Sequence, residues 1–357
     1  MFFNKDLRGF FGSIIETKKQ KQDILTTLAS NVDDMDIEET SEPVYMDDQP
    51  QQSQDLVNDL QGNDLNPHHQ SPAPQTFKPK TINILKHPLC EVFGFMATDQ
   101  SSKAQRYRSH RHCPFNNKVP NCTNDQINNP LGVCSILQNN KPVITCPIRF
   151  REDWLITDDA ASFFFEESVS WGSLTEVPLN DADGKSAGNI DVMLVAYDER
   201  GKMIDFGVLE VHAASISGNL HDPFEYYMKD PKANALMDWA AQPNYPQPDF
   251  LSAERKSVFP QLLFKGRILH SWHKKMAVAI DKSLFDTLPA LNPVKKEDAD
   301  IAWLIYDLEL TAGDKEHYHL KKIGEVYTAF QPTMLALTAI SPGNVGDFVK
   351  FLPELDS

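Results

Sequence analysis

Two acidic residues and a histidine stand on neighbouring predicted strands, in an arrangement that can hold a metal ion. Asp191 opens an apolar run, and after a polar turn a second apolar run leads to Glu210 and His212. Alternation along a strand puts Glu210 and His212 on one face of the sheet, with Val211 on the other. Carboxylates on adjacent strands can share one divalent cation, and hard oxygen ligands suit Mg²⁺. Phosphodiester hydrolysis needs such a cation, so the pattern favours a metal-dependent nuclease.

A third carboxylate, Glu176, lies fifteen residues before Asp191 and can reach the same ion. Most carboxylates in proteins are solvated surface charges, and for Glu176 this interpretation remains open. For Glu210 the alternative is weak, because its sequence neighbours are apolar. His212 stands where a D…E-x-K nuclease has its lysine. An imidazole can orient water or donate to phosphate, but it carries no permanent charge. Acids nearer the turn are expected to be turn and edge charges: Asp198, Glu199 and Asp205.

The chain has five cysteines, and four of them follow one another at intervals of 9, 12 and 12 residues: Cys113, Cys122, Cys134 and Cys146. An odd number of cysteines in a chain without a secretion signal argues against a disulfide framework. Tetrahedral thiolates suit zinc or a single iron. The spacing is not the paired C-x-x-C of zinc ribbons, so buried thiols without a metal remain an alternative. The fifth, Cys90, is expected to be a small buried apolar group. Nearby histidines that can replace a thiol are His87, His110 and His112.

Charge separates the cysteine region from the rest of the chain. The net charge is −16, which argues against a protein that coats nucleic acid nonspecifically. Residues 85–151 nevertheless carry 9 Lys/Arg against 3 Asp/Glu, and this is the segment that holds every cysteine. A local basic patch can grip phosphates, with strong salt dependence.

Composition divides the chain into three parts. Residues 7–30 have apolar residues at helical spacing and predict a short amphipathic helix, either packed on its own domain or docking a partner. Residues 31–80 are too polar to offset their ordering entropy and predict a disordered linker. Structure is expected to begin near Thr81, with a loop-like, Cys- and Asn-rich region at 81–150. Strands and helices alternate over 151–357, which predicts an α/β sheet.

Within the last part, a helix is expected around Asp159–Glu167 and a β-hairpin at 190–213. A helix is predicted at 251–275, with Ser252 as its N-cap. Strand-like runs follow at 276–280, 301–309 and 323–330. No run of eighteen apolar residues exists, so no membrane span is expected. The first residues are polar too early for a signal peptide, which predicts a cytoplasmic protein.

The two motifs together resemble the NotI restriction endonuclease family. These are type II enzymes with an iron-binding four-cysteine region ahead of a nuclease core of the PD-(D/E)XK class. The resemblance covers about residues 85–310. In the cysteine region it rests on Cys113-Pro114-Phe115, Cys122, Gly132-Val133-Cys134 and Cys146-Pro147. In the core it rests on Glu176-Val177-Pro178-Leu179, Asp191, Phe206-Gly207-Val208-Leu209-Glu210-Val211-His212, Ser257-Val258-Phe259 and Trp303-Leu304-Ile305-Tyr306-Asp307-Leu308-Glu309.

The resemblance implies a role for each motif. Asp191, Glu210 and Glu176 would bind Mg²⁺, and His212 would take the position of a glutamine that the family uses in place of lysine. The four cysteines would hold one structural iron, with zinc as the alternative, close to the DNA. Residues 1–80 would be an added disordered tail, 81–150 the metal-binding four-cysteine region and 151–357 the nuclease core. Family members are homodimers that cut G·C-rich palindromes, because two-fold protein symmetry matches two-fold site symmetry.

Arginine reads guanine bidentately, so basic residues beside the cysteines are candidates for DNA contact. For each of them taken singly, a side chain that is solvated or that contacts only phosphates is at least as good an interpretation as a base contact. The candidates are Lys103, Arg106, Arg108 and Arg111.

The leading hypothesis is therefore a magnesium-dependent type II endonuclease that cuts double-stranded DNA and leaves 5′-phosphate ends. A rival is a DNA-binding or recruitment protein with a degenerate nuclease core, suggested by His212 and the long tail. A third hypothesis is a nuclease subunit of a larger defence or transposition assembly, tethered to a protein partner through residues 1–80.

Overall fold

The structure, a computed structural model, describes residues 87–116, 119–123, 129–311, 317–339, 342–350 and 352. The helix expected at 7–30, the expected tail at 1–80 and the expected start of structure near Thr81 lie outside these residues. Among the described residues no helix has the length and apolarity to span a bilayer.

The strands in the first part of the described chain are short, and the long strands come later. In chain order they are β1 (Leu89–Val92), β2 (Phe95–Met96), β3 (Val133–Gln138), β4 (Lys141–Ile144), β5 (Ser170–Asn180), β6 (Ser186–Tyr197), β7 (Met203–His212), β8 (Ser215–Ser217), β9 (Gln247–Asp249), β10 (Met276–Asp281), β11 (Ile301–Thr311) and β12 (His317–Thr328).

These strands form a four-stranded antiparallel sheet, a six-stranded mixed sheet and a small β8–β9 pair. The first has the order β2-β1-β3-β4, and the second has the order β12-β11-β10-β7-β6-β5. In the mixed sheet β10 runs parallel to β7 and β11, and the remaining neighbours are antiparallel.

The described residues also form the helical segments α1 (Ser102–His110), α2 (Leu155–Phe164), α3 (His221–Lys229), α4 (250–271), α5 (Lys282–Phe285), α6 (Phe330–Thr338) and α7 (Val345–Val349). Helix α4 is not uniform, because two π-helical turns, Glu254–Val258 and Leu262–Gly266, interrupt its α-helical pieces. Short 3₁₀ segments lie at Pro147–Trp154 and Lys296–Asp298.

The mixed sheet is covered on both faces, as its central strand shows. All six residues of β10 are buried. Ala277 and Ala279 belong to the core that α2 covers, whereas Val278 and Ile280 belong to the core that α4 and α6 cover. Such a strand is apolar almost throughout, because neither face meets water.

The predicted hairpin at 190–213 is confirmed by β6 and β7. Their turn is closed by Asp198, whose Oδ1 accepts the N–H groups of Arg200 and Lys202 at 3.0 and 2.8 Å. Gly201 follows with a φ of +76°, a conformation in which glycine is unstrained. The strand predictions at 276–280 and 301–309 are confirmed, and β12 begins earlier than the predicted 323–330.

Three expectations need correction. The helix expected around 159–167 is α2, which begins at Leu155 and ends at Phe164. Ser252 does not cap α4, because the side chain of Asp249 accepts the Ser252 N–H at 2.9 Å and is the N-cap. The described part of 81–150 is not loop-like throughout, since it contains the four-stranded sheet and α1.

Candidate functional site

Three adjacent strands of the mixed sheet carry the predicted acids at the same level. Thr175 pairs with Val192 and Val177 with Ile190, so Glu176 on β5 lies level with Asp191 on β6. Val192 pairs with Leu209, so one residue further along Asp191 lies level with Glu210 on β7. Directly opposite residues of an antiparallel pair have Cβ atoms about 5 Å apart. The sheet therefore brings Glu176, Asp191 and Glu210 into one row, as the hairpin pattern predicted for the last two.

Asp191 is partly buried and its carboxylate is anchored to the next strand. Its Oδ2 accepts the Val211 N–H at 2.8 Å. Burial raises the pKa of Asp191, while the Val211 N–H and the charge of Lys265 act in the opposite direction. The hydrogen bond fixes the carboxylate beside Glu210 and leaves its second oxygen for another ligand.

Glu210 is completely buried and pairs with a lysine from a distant helix. Its Oε2 accepts from Lys265 Nζ at 2.6 Å, and the two side chains are 0% and 4% exposed. Its Oε1 is buried without a hydrogen-bond partner. Burial, followed by the charge of Asp191, raises the pKa of Glu210 to about 8 against the opposing effect of Lys265. A buried carboxylate oxygen without a partner is costly unless a ligand binds it.

Lys265 was not among the sequence candidates, although its ammonium group is fully used in the site. Besides Glu210, it donates to Gln261 Oε1 at 2.7 Å and to the Asn189 carbonyl. Ser257, Gln261 and Lys265 recur every four residues and lie on one face of α4. The helical spacing of these three polar residues was readable from the sequence, but their pairing with Glu210 was not.

His212 follows Glu210 on the same face and is neutral. Its Nδ1 shares a 3.1 Å hydrogen bond with Ser257 Oγ, and its Nε2 is buried without a partner. Burial, with a contribution from Lys265, lowers the pKa of His212 to about 3. At neutral pH the imidazole therefore adds no positive charge, and the charged group beside Glu210 is Lys265.

Glu176 lies at the open side of the row, in a strained backbone conformation. Its side chain is 53% exposed and its φ is +57°. Non-glycine residues rarely adopt this region, and such strain is concentrated at functional sites. Arg151 lies 3.9 Å from the Glu176 carboxylate. With Asp191 they line a cleft of about 450 Å³, whose other lining residues include Asn116, Val119, Thr123, Pro147, Ile148, Ile156, Val192 and Val211.

The other acids near the hairpin are turn and edge charges, as expected. Asp198 closes the turn, and Glu199 is exposed. Asp205 forms an ion pair with Lys274 that is partly open to solvent.

The four predicted cysteine ligands are buried beside the four-stranded sheet. No disulfide joins any of the five cysteines, all of which are described. Burial raises the pKa of Cys113 to about 11 and that of Cys146 to about 12, and in both cases Cys122 contributes. Burial also raises the pKa of Cys134, with contributions from the other three. The four thiols are therefore close enough to influence one another electrostatically.

Cys90 stands apart from this group. It is buried, and burial followed by the charge of Glu91 raises its pKa to about 12. This placement agrees with the expected small buried apolar group. Among the histidines that could replace a thiol, His87 is buried and its Nδ1 accepts the Leu89 N–H at 3.1 Å.

The basic candidates for DNA contact do not share one environment. Lys103 and Arg106 are exposed on α1, and Arg111 at its end is partly buried. Arg108 is only 2% exposed and donates to the backbone carbonyls of Asp99 and Met96 at 2.5 and 2.6 Å. Its guanidinium is committed to holding α1 in place, so the expected DNA contact by Arg108 is withdrawn.

The donor sets suit the predicted metals, although the side chains are not gathered around one point. Within the described ranges no group of three His, Cys, Asp or Glu side chains is arranged to hold a metal ion. Glu210 Oε1 nevertheless lacks a partner, and a divalent cation between it and Asp191 would satisfy both oxygens. Four thiolates are a ligand set that suits iron or zinc.

Of two comparisons with known proteins, one identifies a family. A search of curated proteins finds no significant match. The family model described as restriction endonuclease NotI matches residues 97–320, which span the four cysteines and most of the mixed sheet. Because this match covers more than half of the chain, the protein belongs to the NotI restriction endonuclease family.

Proposed function

We propose that the protein is a magnesium-dependent type II endonuclease that hydrolyses double-stranded DNA at a specific, G·C-rich palindromic site. Membership of a restriction endonuclease family indicates a nuclease that acts on DNA. The observation that carries the finer proposal is the row of Glu176, Asp191 and Glu210, with one oxygen of Glu210 buried and without a partner. In this proposal, that row would be the metal-binding acids of a PD-(D/E)XK core.

Asp191 and Glu210 would hold the ion from adjacent strands, and Glu176 would reach it from the third strand. When bound, Mg²⁺ would supply the Lewis acidity and charge compensation that phosphodiester hydrolysis needs. The Val211 N–H fixes the Asp191 carboxylate, so this ligand is positioned before the substrate arrives. Arg151, which lines the cleft beside Glu176, would contact a phosphate of the substrate.

The cysteine region would contribute a structural metal rather than chemistry. Cys113, Cys122, Cys134 and Cys146 would hold one iron, or zinc, and stabilise a region of short strands. Lys103, Arg106 and Arg111 would contact DNA nearby. The active unit would be a homodimer, because cutting both strands of a palindrome needs one site in each subunit.

A second candidate is a DNA-binding protein with a degenerate nuclease core. The neutral, buried His212 at the position of the usual lysine favours it. In that case the protein would retard DNA in a gel without cutting it.

Incubation of a sequenced plasmid with purified protein and Mg²⁺ separates the candidates. The proposed endonuclease gives discrete fragments whose ends map to one palindrome and carry 5′-phosphates, and EDTA stops the reaction. Intact plasmid with a shifted band would support the DNA-binding alternative. Elemental analysis of the same preparation distinguishes iron from zinc.

A further inference from the structure

We infer that Lys265 supplies the active-site positive charge that the D…E-x-K pattern normally places two residues after the glutamate, and that it does so from helix α4. The inference rests on the proposed nuclease function and adds a residue to it. Position 212, where that lysine would stand, holds a buried histidine whose Nδ1 shares a hydrogen bond with Ser257 Oγ. The cation beside Glu210 comes instead from a residue 55 positions later in the chain.

The placement of Lys265 is highly constrained. Its three N–H donors meet three acceptors, on Glu210 of β7, Asn189 of β6 and Gln261 of α4. Its Cε lies 3.5 Å from the position that a Cβ at Gly188 would take, and Gly188 has a φ of +97°. That distance is an ordinary van der Waals contact, so the positive φ, and not the lysine stem, is what favours glycine at position 188.

The backbone of α4 is also irregular at this residue. Lys265 belongs to the π-helical turn Leu262–Gly266, and π-turns within α-helices are frequent at functional sites. A second π-turn, Glu254–Val258, contains Ser257, which hydrogen-bonds His212. Both interruptions therefore present a polar side chain to the Glu210–His212 face of the sheet.

A buried lysine that only balanced the charge of Glu210 would be a structural element. A lysine that completes the site has a further effect, because its charge holds the Glu210 carboxylate in the position where it would bind the catalytic ion. Lys265 contacts Glu210 and acts through it, so it is a positioning residue. The two roles differ in the cleavage rate of a variant that still folds and still binds DNA and Mg²⁺. Loss of a purely structural lysine leaves that rate unchanged, whereas loss of a positioning lysine lowers it.

The test compares wild-type protein with Lys265→Met, Lys265→Arg and the exposed control Lys256→Met on the same helix. Single-turnover cleavage is measured at saturating Mg²⁺ and saturating DNA, together with gel-shift affinity, Mg²⁺ titration by calorimetry and thermal unfolding. We expect Lys265→Met to cut about 10²-fold more slowly, the size typical for loss of one preorganised electrostatic contact. Its DNA affinity and Mg²⁺ binding should remain, Lys265→Arg should recover part of the rate, and Lys256→Met should match wild type.

Each other outcome overturns the inference in a distinct way. Wild-type rate in Lys265→Met would reject it while leaving the nuclease function intact. A Lys265→Met protein that loses DNA and Mg²⁺ binding in proportion to rate, without rescue by arginine, would show a purely structural lysine. If Lys265→Met does not fold, the folded Lys265→Arg and Gln261→Ala variants decide, because a wild-type rate in both rejects a positioning role. A wild-type protein that never cuts would reject the proposed function and this inference together.

Discussion

At the scale of single residues, the site combines positions that the sequence reveals with one that it hides. Asp191 and Glu210 could be predicted because acids that end apolar strand runs are conspicuous, and the register places them level. Lys265 could not be predicted, because its contact with Glu210 joins a helix to a sheet across 55 residues. The burial of Arg108 was hidden for a different reason, because a basic residue in a polar helix resembles its exposed neighbours.

The first residue-scale prediction concerns the buried imidazole of His212. In the unfolded chain it takes a proton below its ordinary pKa of about 6.5, whereas in the folded protein its pKa is lowered to about 3. Folding is therefore penalised as the pH falls through this window, by about 2 kcal/mol at pH 5 relative to pH 8. His212→Gln should lose about 2 kcal/mol less stability than wild type between these pH values.

Denaturant unfolding of both proteins at pH 8 and pH 5 measures this difference, with His110→Gln as an exposed control. Equal pH dependence in wild type and His212→Gln would mean that the imidazole is protonated in the folded state. The glutamine variant should also keep its cleavage activity, because position 212 contributes no charge in the wild type.

At the scale of elements, strong periodicity was predictable and irregular backbone was not. The hairpin of β6 and β7 has long apolar runs joined by a turn that contains Asp198 and Gly201, whereas strands of two to six residues in the four-stranded sheet are too short for a pattern. The π-turns of α4 leave no signal in the sequence. Gly132 is explained only by packing, because a Cβ there would lie 2.3 Å from the ring of Phe93.

Arg149 gives an element-scale prediction, since it ties the short sheet to the long one. It is completely buried and donates to Glu91 on β1 at 3.0 Å, to Glu152 at 2.8 Å and to the Tyr318 carbonyl on β12 at 3.0 Å. Removing one partner from a buried charge network costs about 3–5 kcal/mol. Arg149→Met should lower the free energy of unfolding by about that amount.

Chemical denaturation tests this prediction against Arg200→Met, whose side chain lies on the exposed hairpin turn. A loss of stability no larger than that of Arg200→Met would contradict a stabilising role for this network.

The cysteine region gives a second prediction at this scale. If Cys134 is one of four metal ligands, Cys134→Ser should reduce the metal content from about one atom per chain to near zero and lower the Tm. Cys90→Ser is the matched control, because Cys90 is buried outside the group. Elemental analysis measures the metal content, and thermal unfolding measures the Tm. Full metal content in Cys134→Ser, or equal loss in Cys90→Ser, would contradict the assignment.

At the scale of the whole molecule, family membership rests on residues 97–320, and the described structure begins at residue 87. The order of a cysteine region followed by an acidic hairpin was recognisable in the sequence, because both motifs are local. The way in which α4 closes over the hairpin was not, because it depends on the packed sheet.

A chain that lacks residues 1–80 should therefore cut DNA at the same sites and the same rate as the full chain. The experiment is a time course with both proteins at equal concentration. Abolished cleavage would contradict a self-contained nuclease and support the hypothesis of a larger assembly that is tethered through these residues.

The most direct measurement of the central claim is cleavage of a supercoiled plasmid with Mg²⁺ by wild type, Asp191→Asn, Glu210→Gln and the control Asp205→Asn. Asp205 is an acid on the same strand as Glu210 and pairs with Lys274 at the surface. We predict that wild type and Asp205→Asn give the same fragments, and that Asp191→Asn and Glu210→Gln give none while still shifting DNA in a gel. Cleavage at the wild-type rate by either of the last two variants would contradict the claim that these two carboxylates hold the catalytic ion.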